Sequence, residues 1–169
     1  FNGRNFLLDP GTYSYNLAAP WDNSLVGSQY HNCLTIDGQQ PMLRAGRFLW
    51  LKWDQARWKM DGEESARMLK AEHDGYKRFG ISHQRSLEWI RPGQWEVTDR
   101  LCMKRGKHSI DVNWITCDGQ AQFEKDAFSL AADGINLSIM VVAEPTSIPP
   151  RISHRIVRAG KLIYGEDPA

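Results

Sequence analysis

The chain is 169 residues long, 41% hydrophobic and 24% charged, with a formal net charge of +1. That length fits one globular domain, residues 1–169, burying roughly 70% of the surface its unfolded chain would expose, and the near-zero charge removes any global pull toward nucleic acid or an anionic membrane. The longest apolar run, residues 139–143, is far too short to span a bilayer, and Cys33, Cys102 and Cys117 lack the CxxC spacing of a cysteine zinc site and leave at least one thiol unpaired.

In chain order, the first informative stretch is Leu7 to Gln40, LLDPGTYSYNLAAPWDNSLVGSQYHNCLTIDGQQ. A short apolar run stops on Asp9-Pro10-Gly11, and His31-Asn32 leads into Cys33-Leu34-Thr35-Ile36 before Asp37-Gly38. Asp9 and His31 each sit where a strand meets a turn, at a rim that chemistry can reach. A carboxylate and an imidazole brought together there make half of a zinc site. The same letters also suit a plain turn, because Asp before Pro-Gly starts turns and a lone His near a strand is commonly just hydrogen-bonded.

Strand signals dominate the chain beyond Gln40. Leu49, Leu51 and Trp53 share one parity and read as core, leaving Trp50 on the opposite, outward parity. Around them Arg44, Arg47, Lys52, Arg57 and Lys59 are opposed within the segment only by Asp54, a basic patch interleaved with aromatic rings. Residues 63–69, EESARML, contain helix formers but run into Lys70-Ala71-Glu72-His73, and are read as a charged loop before a strand. His83 shares parity with Leu87 and Trp89, which favours a packed, hydrogen-bonded imidazole over a catalytic one. Trp95, Val97 and Leu101 mark a further strand whose alternation Asp99 interrupts. Ile110, Val112 and Trp114 mark another. Residues 121–130 fit either a helix or a strand; Ile135, Leu137, Ile139 and Val141 line one strand face. After Pro149-Pro150, Ile152, Ile156 and Val157 offer a last strand or two. Asp-Gly or Pro-Gly pairs at 37–38, 61–62, 74–75, 92–93, 118–119 and 133–134 punctuate these runs. Together they predict an all-β fold, an antiparallel β-sandwich of two large sheets, with no linker dividing it.

Four segments carry a resemblance. LLDPGTYSY with HNCLTIDGQQ, then AEHDGYKRFGISHQRSLEWI, then LIYGEDP resemble, in order, the signature stretches of the heparinase II/III-like family of polysaccharide lyases. They span the chain from its first ten residues to its last ten. The resemblance implies the C-terminal β-sandwich domain of a longer protein, whose partner is an N-terminal helical toroid. It implies eliminative cleavage of an acidic, uronic-acid-containing polysaccharide, such as a glycosaminoglycan or alginate, in the periplasm or outside the cell. It also implies that Asp9 and His31 are metal ligands for zinc, with a third from a His-x-His element upstream of Phe1. On that expectation this chain holds zinc weakly and lacks lyase activity alone, with no catalytic residue of its own.

Substrate contacts are expected from Tyr15, Asn32, Trp50, His73 and Tyr76. Tyr15 lies just beyond the metal loop, and Asn32 beside His31 suits either loop bracing or a carboxylate. Trp50 offers a ring among cations, the pattern that suits anionic sugars. His73 and Tyr76 belong to the HDGY stretch, where Asp74-Gly75 is also a turn pair. The roles of Tyr13 and His83 stay open. Two other readings stand beside the enzyme: a non-catalytic carbohydrate-binding or structural sandwich, and an interaction module whose unpaired strand edge forms a homodimer. No P-loop, GxGxxG, nucleophile elbow or nucleic-acid module is present.

Overall fold

Asp133-Gly134 has positive φ at both positions, 49° and 74°, and joins two strands paired from Ala132↔Ile135 to Ala127↔Met140. This is the two-residue turn whose twist matches a hairpin. The computed structural model describes residues 3–11, 16, 18, 23–62, 67–104, 106–124 and 127–142. The strands among them are β1 (Leu34–Ile36), β2 (Leu43–Arg44), β3 (Trp50–Leu51), β4 (Ala56–Asp61), β5 (Met68–His73), β6 (Ile81–Arg91), β7 (Gln94–Met103), β8 (Ile110–Val112), β9 (Gln120–Glu124), β10 (Ala127–Ala132) and β11 (Ile135–Met140). The helical pieces described are three-residue 3-10 turns, at Ser24–Val26, Ser28–Tyr30 and Lys77–Phe79. The fold is all-β, every strand pairing is antiparallel, and the arrangement is consistent with a β-sandwich.

Two compact units are resolved. Among the described residues, the first lies within Asp9–Ile115; the second comprises Gly3–Leu8 and those from Thr116 onward. The first contains a four-stranded sheet ordered β4-β5-β6-β7 and the pairs β1-β8 and β2-β3. Its core is Leu34, Ile36, Tyr76 and Ile81, with Leu101 packed against them. β1 is buried along its whole length, Thr35 included. It ends in a second positive-φ pair, Asp37-Gly38, which turns the chain so that Gln39 N–H donates to Ile36 O at 2.8 Å. The second unit is the sheet β9-β10-β11 over Phe6, Leu130 and Ala132. Directly opposed Phe123 and Phe128 stack at 5.2 Å between ring centroids, a cross-strand pair of the kind that fixes register.

Residues 121–130, compatible with helix or strand, form the β9-β10 hairpin. The alternation expected of Ile135, Leu137 and Ile139 is borne out: these are half-buried while Asn136, Ser138 and Met140 are exposed. The expected core at Leu49, Leu51 and Trp53 is not found. All three are exposed, Trp53 at 77%, and Trp50 is the half-buried one. The physical reason is that β3 is two residues long and pairs only with β2, so it presents no sheet face to bury. Trp53 Nε1–H donates to Trp50 O at 2.7 Å, closing a local turn in place of a strand. Ile110 and Val112 are likewise exposed on the short β8. The sequence beyond Val142, where a last strand is expected, lies outside the described residues.

Candidate functional site

The Asp9-Pro10-Gly11 turn closes on itself: Gly11 N–H donates to Asp9 Oδ1 at 2.9 Å. That leaves Oδ2 free to meet His31 Nδ1 at 2.7 Å across 22 residues of sequence. His31 is held by the 3-10 turn before it, donating its N–H to Ser28 O, and its own carbonyl accepts from Cys33 N–H at 2.8 Å. The His31 hydrogen bond and then the Gly11 N–H hold the Asp9 carboxyl below its ordinary range. Asp9 is thus ionised and aimed at an imidazole.

Zinc ligands of this type sit at about 2.0–2.2 Å from the metal, so two of them around one ion stand about 3.4 Å apart. The observed 2.7 Å is therefore a hydrogen-bonded pair that has to open by less than an ångström to become two ligands. The donor set, one carboxylate and one imidazole, fits zinc. Among the described residues no cluster of three or more His, Cys, Asp or Glu side chains is placed to hold a metal. Asp9 and His31 form a contacting carboxylate–imidazole pair on this chain.

A second array is built by strand register. β5 and β6 place His73 directly opposite His83, and β6 and β7 place Arg85 opposite Asp99. His73 Nε2 lies 2.9 Å from His83 Nδ1, with the rings edge-on at 90°. His83 Nε2 lies 2.7 Å from Asp99 Oδ1. Arg85 grips Asp99 with two parallel bonds, Nε to Oδ1 at 2.8 Å and Nη2 to Oδ2 at 2.7 Å. Its remaining arm, Nη1, donates to Asn32 O at 2.6 Å.

The proton positions are set by the donor at one end and the carboxylate acceptor at the other. Gly75 N–H donates to His73 Nδ1 at 3.2 Å, so that nitrogen is the acceptor and Nε2 carries the hydrogen. His73 Nε2–H then donates to His83 Nδ1, and His83 Nε2–H donates to Asp99. All bonds point the same way, from Gly75 to the carboxylate. Burial pushes the His73 pKa down, as does the neighbouring His83, while Asp54 and Asp74 oppose the shift. Burial also pushes the Asp99 pKa up, but the bonds from His83 and Arg85 outweigh it and bring the group to about 2. Asp54 Oδ2 stands 3.4 Å from His73 Nδ1, ready to receive a proton there if the ring becomes charged.

His83 was expected to be packed and hydrogen-bonded, and it is buried with both ring nitrogens engaged. His73 is half-buried in the same chain of bonds. Asn32 braces its loop: its carbonyl takes Arg85, and its Oδ1 accepts from Ile115 N–H at 2.6 Å. Tyr76, expected to touch substrate, is 1% exposed. Its hydroxyl donates toward Leu34 O and Gln39 O at 3.4 and 3.3 Å, and burial raises its pKa to about 12. Placed there, it is a core residue that offers no surface to a sugar. Trp50 lies on the β2-β3 hairpin, paired with Arg44. Tyr13 and Tyr15 fall outside the described residues. The sequence reading missed Arg85 and Asp99; the signal was the break that Asp99 makes in the apolar parity of β7.

The four-stranded sheet also carries an open hollow of about 440 Å³, lined by Gln55, Arg57, Glu72, Lys77, Gln84 and Arg100 among others. Its cations are offset by Glu72 and Asp74, and Lys59 of the expected basic patch is already paired with Asp61. Among the described residues no helix is long and apolar enough to cross a membrane.

Comparison with known proteins gives one family match: the family model described as heparinase II/III-like, C-terminal, matches residues 1–159. No curated protein and no solved structure matches the chain.

Proposed function

We propose, because this chain belongs to the heparinase II/III-like family and matches its C-terminal domain, that it is the metal-braced β domain of an enzyme that cleaves a uronic-acid polysaccharide by β-elimination. In that reaction a base takes the proton from C5 of the uronate and the electron pair forms the C4–C5 double bond. The C4–O4 glycosidic bond breaks, and an acid protonates the departing O4. On this reading the base and acid come largely from the helical toroid and the cleft between it and this domain. The acidic polymer and that toroid are the partners of the domain, and the periplasm or the cell exterior is where it works.

The observation that carries this reading is the 2.7 Å contact between Asp9 Oδ2 and His31 Nδ1. Nothing in the local fold requires it. Asp9 already caps its own turn through Oδ1, and both side chains are accessible, Asp9 at 62% and His31 at 30%. An exposed hydrogen bond of this kind adds little stability, whereas a carboxylate and an imidazole are also a zinc donor pair. Asp9 would provide an oxygen and His31 a ring nitrogen to zinc, which would supply positive charge there and tie the Asp9 turn to the His31 loop.

Zinc content and affinity test this, on the chain and on a version extended upstream through the expected His-x-His, each with and without Asp9→Ala and His31→Ala. Tight binding of one zinc by the extended form, lost with either substitution, is the expected result. No zinc in either form would return Asp9 and His31 to a turn pair and leave a non-catalytic sandwich. The same two proteins, assayed by ultraviolet absorbance of the new double bond on heparan sulfate and alginate, test the expectation that this chain alone is inactive.

A further inference from the structure

We propose that the chain Gly75–His73–His83–Asp99–Arg85 is a positioning relay whose output is the Asn32 carbonyl, and that it sets the His31 side chain in place to face Asp9. This inference rests on the metal reading for its purpose but not for its geometry.

The relay's members come from three adjacent strands, β5, β6 and β7, together with the turn after β5. Each side chain in it is held by two or more bonds. A carboxylate gripped by a two-pronged guanidinium and by a second donor has one orientation. Arg85 is therefore pinned on one side, and its third contact is delivered to a fixed point. That point is the carbonyl of the residue next to His31. Main-chain bonds hold the rest of the loop: Asn113 N–H donates to Cys33 O at 2.9 Å, and Ile115 N–H to the Asn32 side chain. The guanidinium is the one side-chain charge aimed at this loop's backbone among the described bonds. Asp99 and Arg85 are 16% and 23% exposed, so their bonds are largely withheld from water and are stiffer than surface pairs.

Simple packing does not account for this arrangement. A hydrophobic pair at positions 85 and 99 would continue the apolar parity of Leu87, Val97 and Leu101, and burying two charges costs desolvation that a packed apolar pair avoids. The return on that cost is a fixed anchor. The bonds converge on Asp99, which accepts from His83 on one side and from two nitrogens of Arg85 on the other, so disturbing either side frees the carboxylate that holds the guanidinium in place. Outer partners of metal-binding histidines typically change affinity by roughly 10–100-fold when removed, and Arg85 acts here through the backbone beside the ligand.

The test uses histidine ¹⁵N NMR and zinc titration on the whole chain, with Arg85→Gln and Arg85→Lys. In the unmodified chain, His73 and His83 are both expected as Nε2–H tautomers. Finding either as Nδ1–H would break the relay without any substitution being made. Arg85→Gln is expected to shift the His31 Nδ1 resonance away from its Asp9-bonded position. It is also expected to weaken zinc binding at least ~10-fold, with the amide spectrum of β4 to β7 retained. Arg85→Lys cannot make the two-pronged grip and is expected to behave like Gln at His31. Unchanged His31 resonances in both variants would overturn the proposal. If the unmodified chain and its upstream extension take up no zinc at all, the metal reading fails by itself, and the His31 resonances still decide the positioning role.

Discussion

Asp99→Asn is the sharpest perturbation of the four-stranded sheet. The substitution keeps the volume and one carbonyl acceptor but removes the charge that His83 and Arg85 share. Asp99 falls from the ordinary 3.8 to about 2 in the fold. A depressed carboxyl favours the folded state at every pH above its unfolded value, and this contribution is lost as pH falls through the folded value. At about 1.36 kcal/mol per unit, the shift corresponds to about 2 kcal/mol at pH 7. The variant also leaves a half-buried guanidinium with one partner fewer, which takes the total cost to about 2–4 kcal/mol. Urea unfolding followed by tryptophan fluorescence at pH 7 and pH 3 measures it. The difference between the parent chain and the variant is expected to shrink by about 1 kcal/mol at pH 3, where the unfolded chain has begun to take up the proton. A difference under about 0.5 kcal/mol at pH 7, or one that does not change between the two pH values, would refute the reasoning.

Two further outcomes are expected from contacts on the same sheet. Gly75→Ala places a Cβ 2.6 Å from Pro41 Cβ, 2.8 Å from Asp54 Oδ2 and 3.0 Å from His73 Nδ1; it is expected to cost about 1–3 kcal/mol and to move the His73 imidazole resonances, and neutral stability with unmoved resonances would contradict the placement of that turn. Tyr76→Phe removes a hydroxyl whose two bonds are long, 3.3 and 3.4 Å, so thermal unfolding is expected to register about 1 kcal/mol or less, with zinc binding unchanged; a loss of zinc would mean that Tyr76 reaches the site.

Turn chemistry was the most legible part of the fold. Asp37-Gly38 and Asp133-Gly134 both take the positive φ pair that their letters suggest, and each closes a hairpin or turn where the sequence places it. The β11 face was legible because its alternation runs the full six residues. Leu49, Leu51 and Trp53 were misread for a definite reason. Parity says which side chains share a face, but not whether anything covers that face, and a two-residue strand has too little face to cover. Asp9 and His31 could be paired from their family-like segments, and the fold does bring them together. The bond from Arg85 to Asn32 spans 53 positions and depends on the register of strands that single-sequence periodicity cannot align.

Asp99 shows where a sequence of this kind conceals its chemistry. Its strand reads Trp95, Val97, Asp99, Leu101 on one parity, and the carboxylate is the one charge in that row. On propensity alone such a residue weakens the strand assignment. In the fold the same break meets a second one on the facing strand, where His83 and Arg85 occupy the parity of Leu87 and Trp89. Two polar interruptions at matching register are far less costly than either alone, because each satisfies the other. Had Asp99 faced a leucine, the cost of burying its charge would have pushed the carboxyl upward and neutralised it. Instead it stays ionised down to about pH 2 and spends both oxygens on fixed donors. A polar residue that violates an apolar face is therefore best read together with the strand that will lie opposite it. Here that reading leads from Asp99 to Arg85, from Arg85 to Asn32, and so to the histidine beside it.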